Sequence, residues 1–171
     1  MAQTYTKFIY HAVFSTKNRI PSIKESMQAR VYDYLGGILR RMDAQALAIN
    51  GIEDHVHLLF LATPDVAFSD IMRVLKANSS RWINLTWRTS RRFAWQNGYG
   101  AFTVSASRVD AVRGYIERQK EHHKKRSSGD EFRWLLELHG IDPQFVGDDD
   151  KVIGSDSVQE SVAPYGGSFD F

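Results

Sequence analysis

Residues 5–16, YTKFIYHAVFST, set Phe8, Tyr10, Ala12 and Phe14 against Ile9, His11 and Val13, the period of two that a strand imposes. KNRIPSI then breaks the alternation, with Pro21 as punctuation. From about Lys24 to Met42 the pattern changes to helical spacing, with Met27, Val31, Tyr34, Leu35, Ile38 and Leu39 on one stripe. AQALAING (44–51) predicts a short second strand. His55–Leu61 predicts a third, joined to it by a tight connection as a hairpin. A helix is expected from about Ala67 to Trp87, carrying Ile71, Val74, Leu75, Ile83 and Leu85. Residues 91–107 read as a turn-rich β segment split by Asn97-Gly98 and Gly100. Residues 108–126 predict one helix despite Gly114, and 130–141 predict a last amphipathic helix closed by Gly140.

The resulting order is β-α-β-β-α-β-α-α. Its first six elements are the ferredoxin-like, RRM-like split βαβ arrangement of the α+β class. Two helices should cover one face of a four-stranded antiparallel sheet. The other face is then open, or covered by something later in the chain.

The third strand raises the question of function. Its alternation places His55, His57, Leu59 and Leu61 on one face and Val56, Leu58 and Phe60 on the other. Histidines at i and i+2 stand roughly 6.6 Å apart along a strand, so both imidazoles can reach one metal ion. The plainer reading is two polar side chains on a half-exposed face. His11 and His139 read as surface or structurally satisfied histidines. On the 108–126 helix Val109, Val112 and Ile116 form the core stripe, and Tyr115, Gln119 and His122 form an adjoining one. Tyr115 and Gln119 are one turn apart, which pairs a tyrosine hydroxyl with an amide able to ligate a metal. The alternative is a core-edge tyrosine beside an exposed glutamine.

Composition narrows the class. Hydrophobic residues at 43% support a folded globule. The absence of cysteine excludes disulfides and thiolate metal sites. The first residues do not form a signal peptide and no apolar stretch reaches membrane-spanning length, so a cytoplasmic protein with no membrane partner is expected. Charge is uneven: residues 1–142 hold 21 Lys and Arg against 14 Asp and Glu, a net of +7, while 143–171 hold Lys151 against six acids. A basic body, 1–142, with an acidic Gly/Ser-rich tail, 143–171, expected to be flexible, points to a polyanionic partner. Lys17 and Arg19 follow the first strand. Lys76, Arg81, Arg88, Arg91 and Arg92 are interleaved with Trp82, Trp87 and Trp95, as suits single-stranded nucleic acid. The plainer reading is helix-surface cations over core tryptophans, and at least two of the three are expected in the core.

HAVFSTKNR, GIEDHVHLLF, WQNGYGAFTVSAS and VRGYIERQKEHH, taken in this order, resemble the IS200/IS605-type single-tyrosine (Y1) HUH transposases over roughly residues 4–142. The resemblance implies that His55 and His57 bind a divalent metal, Mg²⁺ or Mn²⁺, with Gln119 as a further ligand and Tyr115 as the nucleophile. Two imidazoles by themselves suit Mn²⁺, Co²⁺ or Zn²⁺ better than Mg²⁺. The implied activity is cleavage and rejoining of single-stranded DNA next to hairpins through a 5′-phosphotyrosine. Lys17 and Arg19 would make hairpin contacts, with Arg81, Arg91 and Arg92 as further DNA-binding cations. It also implies a homodimer in which Tyr115 of one subunit faces His55 and His57 of the other. Two other readings stand beside it. One is a non-catalytic single-strand binder using aromatics on an open sheet face. The other is a host-co-opted relative that cuts hairpins without mobilising itself.

Overall fold

The computed structural model describes residue 3 and residues 5–88, 91–124 and 127–143. The acidic tail lies, from residue 144 onward, outside the described residues. So do Lys125 and Arg126 of the expected long helix.

Four strands, β1 (Phe8–Ser15), β2 (Gln45–Gly51), β3 (His55–Ala62) and β4 (Gly100–Thr103), form an antiparallel sheet in the order β2-β3-β1-β4. This is the expected split βαβ topology. Two long helices, α1 (Glu25–Arg41) and α2 (Phe68–Thr86), pack on one face. Their apolar stripes, Val31, Leu35, Leu39, Ile71, Leu75 and Ile83, close over Ala12, Phe14, Val56, Leu58 and Phe60 to make the main core. Fully burying side chains of this size contributes about 1.5–3 kcal/mol each. The opposite face carries Ile9, His11, Val13, His57 and Leu59. It is covered by α3 (Val109–Glu117) and α5 (Ser128–Leu138), so no open sheet face is left for bases to stack on. No helix among the described residues is long and apolar enough to cross a membrane.

Three expectations need correction. The helix expected over 108–126 is broken: α3 ends at Glu117, Arg118 leaves helical geometry (φ −94°, ψ 19°), and a short α4 (Gln119–His122) follows. The break is held from outside by Asn50 on β2, whose side-chain amide donates to the carbonyls of Ile116 (3.0 Å) and Glu117 (2.9 Å). These are carbonyls that a helix end leaves unpaired. The last helix begins earlier than expected, because Ser127 caps it by accepting from the Asp130 amide at 3.2 Å. Its other end is as read, with Gly140 in the left-handed region (φ 69°) and the Ile141 amide donating back to Leu136 at 2.9 Å. Of the three tryptophans only Trp95 is core. Trp82 and Trp87 sit half-buried at the margin of the helix layer, with the Arg30 guanidinium 4.9 Å from the Trp87 ring centre.

Two glycines separate close approach from simple helix geometry. A Cβ on Gly51 would lie 2.2 Å from the His55 carbonyl oxygen, whereas one on Gly37 meets nothing within 4 Å. Gly51→Ala should therefore lower the melting temperature, by overpacking worth about 1–3 kcal/mol. Gly37→Ala should raise it, by about 0.5–1 kcal/mol of helix propensity. Calorimetry on the two variants checks the opposite signs.

Candidate active site

The hairpin β2–β3 sets His55 and His57 on the face that α3 and α5 cover, and both are almost inaccessible, at 2% and 0% exposure. Each ring has one nitrogen already engaged. His55 Nδ1 pairs with Asp54 Oδ1 at 2.6 Å, and Asp54 Oδ2 accepts from the Ser128 hydroxyl at 2.8 Å. His57 Nδ1 shares a hydrogen bond with His11 Nε2 at 2.9 Å. Both Nε2 atoms are thereby turned toward the same space. His57 Nε2 makes no hydrogen bond there, although it is buried.

That space is bounded by α3, α4 and α5. Tyr115 on α3 (3% exposed), Gln119 at the start of α4 (0%) and Glu131 in the first turn of α5 (4%) all face it. The Tyr115 hydroxyl donates to Glu131 Oε1, and the Gln119 amide donates to the same oxygen at 2.9 Å. Glu131 Oε2 lies 2.8 Å from His123 Nε2, 3.3 Å from His55 Nε2 and 3.4 Å from His57 Nε2. Gln119 Oε1 faces His55 Nε2 at 3.4 Å and His123 Nε2 at 3.1 Å. The Tyr115 ring lies edge-on to His57, with centres 5.9 Å apart, and is flanked by His122 and Trp134.

Burial works against every charge here. Burial pulls the His55 pKa down, but the Asp54 hydrogen bond and Glu131 outweigh it and push it up to about 9. Burial lowers the His57 pKa more than Glu131 raises it. Burial also takes His11 well below its ordinary value, with His57 adding to the effect. Burial pushes the Glu131 carboxyl up, but the facing imidazoles outweigh it and hold it well below the usual carboxylate range.

These residues fit a divalent ion. Two imidazoles with Nδ1 engaged present Nε2 as ligand, the arrangement by which partners beyond the ligands orient metal-binding histidines. One of those nitrogens is otherwise an orphaned buried atom. Binding there requires His55 Nε2 to give up its proton.

The expected residues thus fall into three groups. His55, His57, Tyr115 and Gln119 come together within the single chain, with Tyr115 beside its own histidines. Lys17 and Arg19 sit in a 3-10 turn at the end of the sheet where β1 finishes opposite His55. Lys17 is exposed there, while the Arg19 guanidinium lies 5.9 Å from the Phe132 ring centre and acts electrostatically on Asp54. Arg91 and Arg92 are exposed near the same end, on the segment whose Ala94 and Trp95 pair with Lys17 and Thr16. Arg81 is exposed on α2, in the layer on the other face of the sheet, away from the histidines.

Three residues of the site escape a reading of the chain alone. His11 is fully buried and satisfied by His57, which bears out the second of its two readings, a structurally satisfied histidine; its place beside the site is what the chain alone does not give. His123 and Glu131 join the cluster without any local motif that marks them. The available signal for Glu131 is its spacing from Leu135 and Leu138, which puts a carboxylate on the apolar stripe of α5.

Comparison with known proteins finds similar chains and folds. A family model described as "Transposase IS200 like" matches residues 4–119. The ISDra2 transposase TnpA of Deinococcus radiodurans is 31% identical over 125 residues, which is 66% of this chain and 84% of that one. A crystal structure of a putative transposase from the same species superposes with a TM-score of 0.56 at 26% identity, covering 70% of this chain and 96% of the other. A REP-associated tyrosine transposase bound to a REP hairpin shares the fold, with a TM-score of 0.55 at 14% identity over 94% of this chain and 98% of that one.

Asn50 holds the junction on which Tyr115 and Gln119 depend. Asn50→Ala should cost about 0.5–1.5 kcal/mol for each of the two hydrogen bonds removed. It should also speed amide exchange in α4. Unchanged exchange there, read by mass spectrometry, would show that the anchor contributes nothing.

Proposed function

The chain belongs to the IS200-like transposase family, and from that premise we propose that residues 1–142 cleave and rejoin single-stranded DNA beside hairpins with Tyr115 as the nucleophile. The observation that carries this reading is the convergence of the Tyr115 hydroxyl with the Nε2 atoms of His55 and His57 on one buried cluster. In the proposed reaction the phenol oxygen attacks a backbone phosphorus. A Tyr–O–P bond forms, the P–O3′ bond breaks, and a 5′-phosphotyrosine and a free 3′-hydroxyl result. The phenol proton leaves along its hydrogen bond to Glu131 Oε1, and the departing 3′ oxygen takes up one proton to become the hydroxyl, so that no proton is gained or lost overall. A 3′-hydroxyl attacking the phosphotyrosine later rejoins strands, with the ester bond conserved throughout.

His55, His57 and Gln119 would hold the divalent ion, Mg²⁺ or Mn²⁺. When bound, it supplies Lewis-acid polarisation of the scissile phosphate and neutralises charge on its oxygens. Around it, Asp54 and His11 keep the two imidazoles oriented. Tyr115 is nearly inaccessible, so productive DNA binding requires side chains around it to move. Hairpin recognition draws support from the REP-hairpin-bound relative of the same fold, and from Lys17, Arg91 and Arg92 near the β1 end of the sheet. We place the reaction in the cytoplasm, on a homodimer.

Tyr115→Phe removes only the hydroxyl, and the covalent protein–DNA adduct should vanish while hairpin binding is retained. Within-chain placement of Tyr115 adds a second readout. Mixing His57→Ala with Tyr115→Phe subunits should restore no cleavage at any ratio. Restored cleavage, with the adduct on the His57→Ala chain alone, would mean that sites are built between subunits.

Lys17 is exposed at the end of the sheet, where phosphate can reach it. Lys17→Ala should lower the log–log salt slope of hairpin affinity by about 0.7–0.9. Affinity that is flat across a salt titration would remove the polyanion reading of the basic body.

A further inference from the structure

We propose that Glu131, carried on a helix beyond the family-matched residues 4–119, is a protein ligand of the metal, so that the site is two histidines and a carboxylate rather than two histidines and an amide alone. The inference rests on the metal-dependent reading above and deepens it.

Distances make the first argument. Ligands held about 2.1 Å from one ion stand roughly 3.0–3.4 Å apart at tetrahedral or octahedral angles. Glu131 Oε2 is 3.3 Å from His55 Nε2 and 3.4 Å from His57 Nε2, and the three residues offer ligand atoms that lie within 4.8 Å of one another. Orientation makes the second. His55 Nε2 and His57 Nε2 both face Oε2 of the carboxylate, so that the three atoms can be directed at one ion. Charge makes the third. His55, His57 and Gln119 are neutral as ligands, and a dication at so buried a site needs a counter-charge. Glu131 is 4% exposed, and the imidazoles of His55, His57 and His123 surround its carboxylate. A carboxylate oxygen also brings the set toward Mn²⁺ and Mg²⁺, which two imidazoles alone do not favour.

The surroundings hold Glu131 in place for this role. Its Oε1 accepts from Tyr115 and Gln119, while His123 holds Oε2. The Ser128 hydroxyl ties the first turn of α5 to Asp54, itself the partner of His55. Glu131 also sits in that first turn, where the helix dipole favours an anion.

The test measures Mn²⁺ binding to the full chain by calorimetry and by the resonance signal of free Mn²⁺, with no DNA present. Glu131→Gln keeps the shape and removes the charge, and it should weaken Mn²⁺ binding at least tenfold. It should also shrink the rise in melting temperature that Mn²⁺ causes. Glu137→Gln, an exposed change on the same helix, should do neither. His57→Ala is the control for the underlying reading. If His57→Ala loses Mn²⁺ but Glu131→Gln binds it equally or more tightly, the ligand proposal is overturned and Glu131 is an internal anion competing for the site. If His57→Ala still binds Mn²⁺ there, the metal reading itself falls, and this proposal with it. Should Glu131→Gln not fold, anomalous diffraction from Mn²⁺-soaked wild-type crystals decides the matter: a peak within bonding distance of the Glu131 carboxylate supports the proposal, and one bonded to the histidines without it overturns it.

Discussion

Burying His55 and His57 on the covered face of β3 strips both rings of water, and a buried polar group without partners is costly. The chain answers at each ring separately. Asp54 takes Nδ1 of one and His11 takes Nδ1 of the other, which leaves both Nε2 atoms directed into the same space. Tyr115, Gln119 and Glu131 then complete that space from three helical segments. Because the partners come from β1, β3 and the α3–α5 region, any movement of the sheet relative to those helices changes the site.

The two faces of the sheet divide the work. Val56, Leu58 and Phe60 lock β3 against α1 and α2, an apolar interface with no chemistry in it. His57 and Leu59 alternate with them on the other side, where the packing is mixed and polar. A rigid strand between a dry core and a buried polar cluster suits a site whose groups must hold geometry to a fraction of an ångström. The same division weighs against a simple single-strand binder, since the face that bases would stack on is occupied by α3 and α5.

The helix α5 stands out because the family match stops at residue 119, yet α5 contributes the carboxylate at the centre of the site. Its docking is redundant. Leu135 and Leu136 pack with Val13 and Phe102, Phe132 fills the room that Gly100 leaves, and Ser128 reaches Asp54. Apolar burial thus places a charge that would not go there unaided.

Most of the fold is legible in local periodicity. Alternation marks β1 and β3, helical spacing marks α1 and α2, and their order implies the topology, because each pattern reports a face that must be buried. The same alternation, a property of the chain alone, places His55 and His57 on the sheet face away from α1 and α2. Tyr115 and Gln119 are legible as a pair one turn apart, although the helix breaks between them. That break is not legible, since it is held by Asn50, more than sixty residues away in sequence and brought close only by packing. His11 escapes for a related reason. Its partner is its diagonal neighbour across the β1–β3 register, and register follows from strand pairing rather than from either strand alone. Glu131 is the hardest to see. A carboxylate on an apolar stripe looks like an imperfection in an amphipathic helix until tertiary packing puts three imidazoles, a phenol and an amide around it, and no local pattern in the chain encodes which distant groups will meet it there.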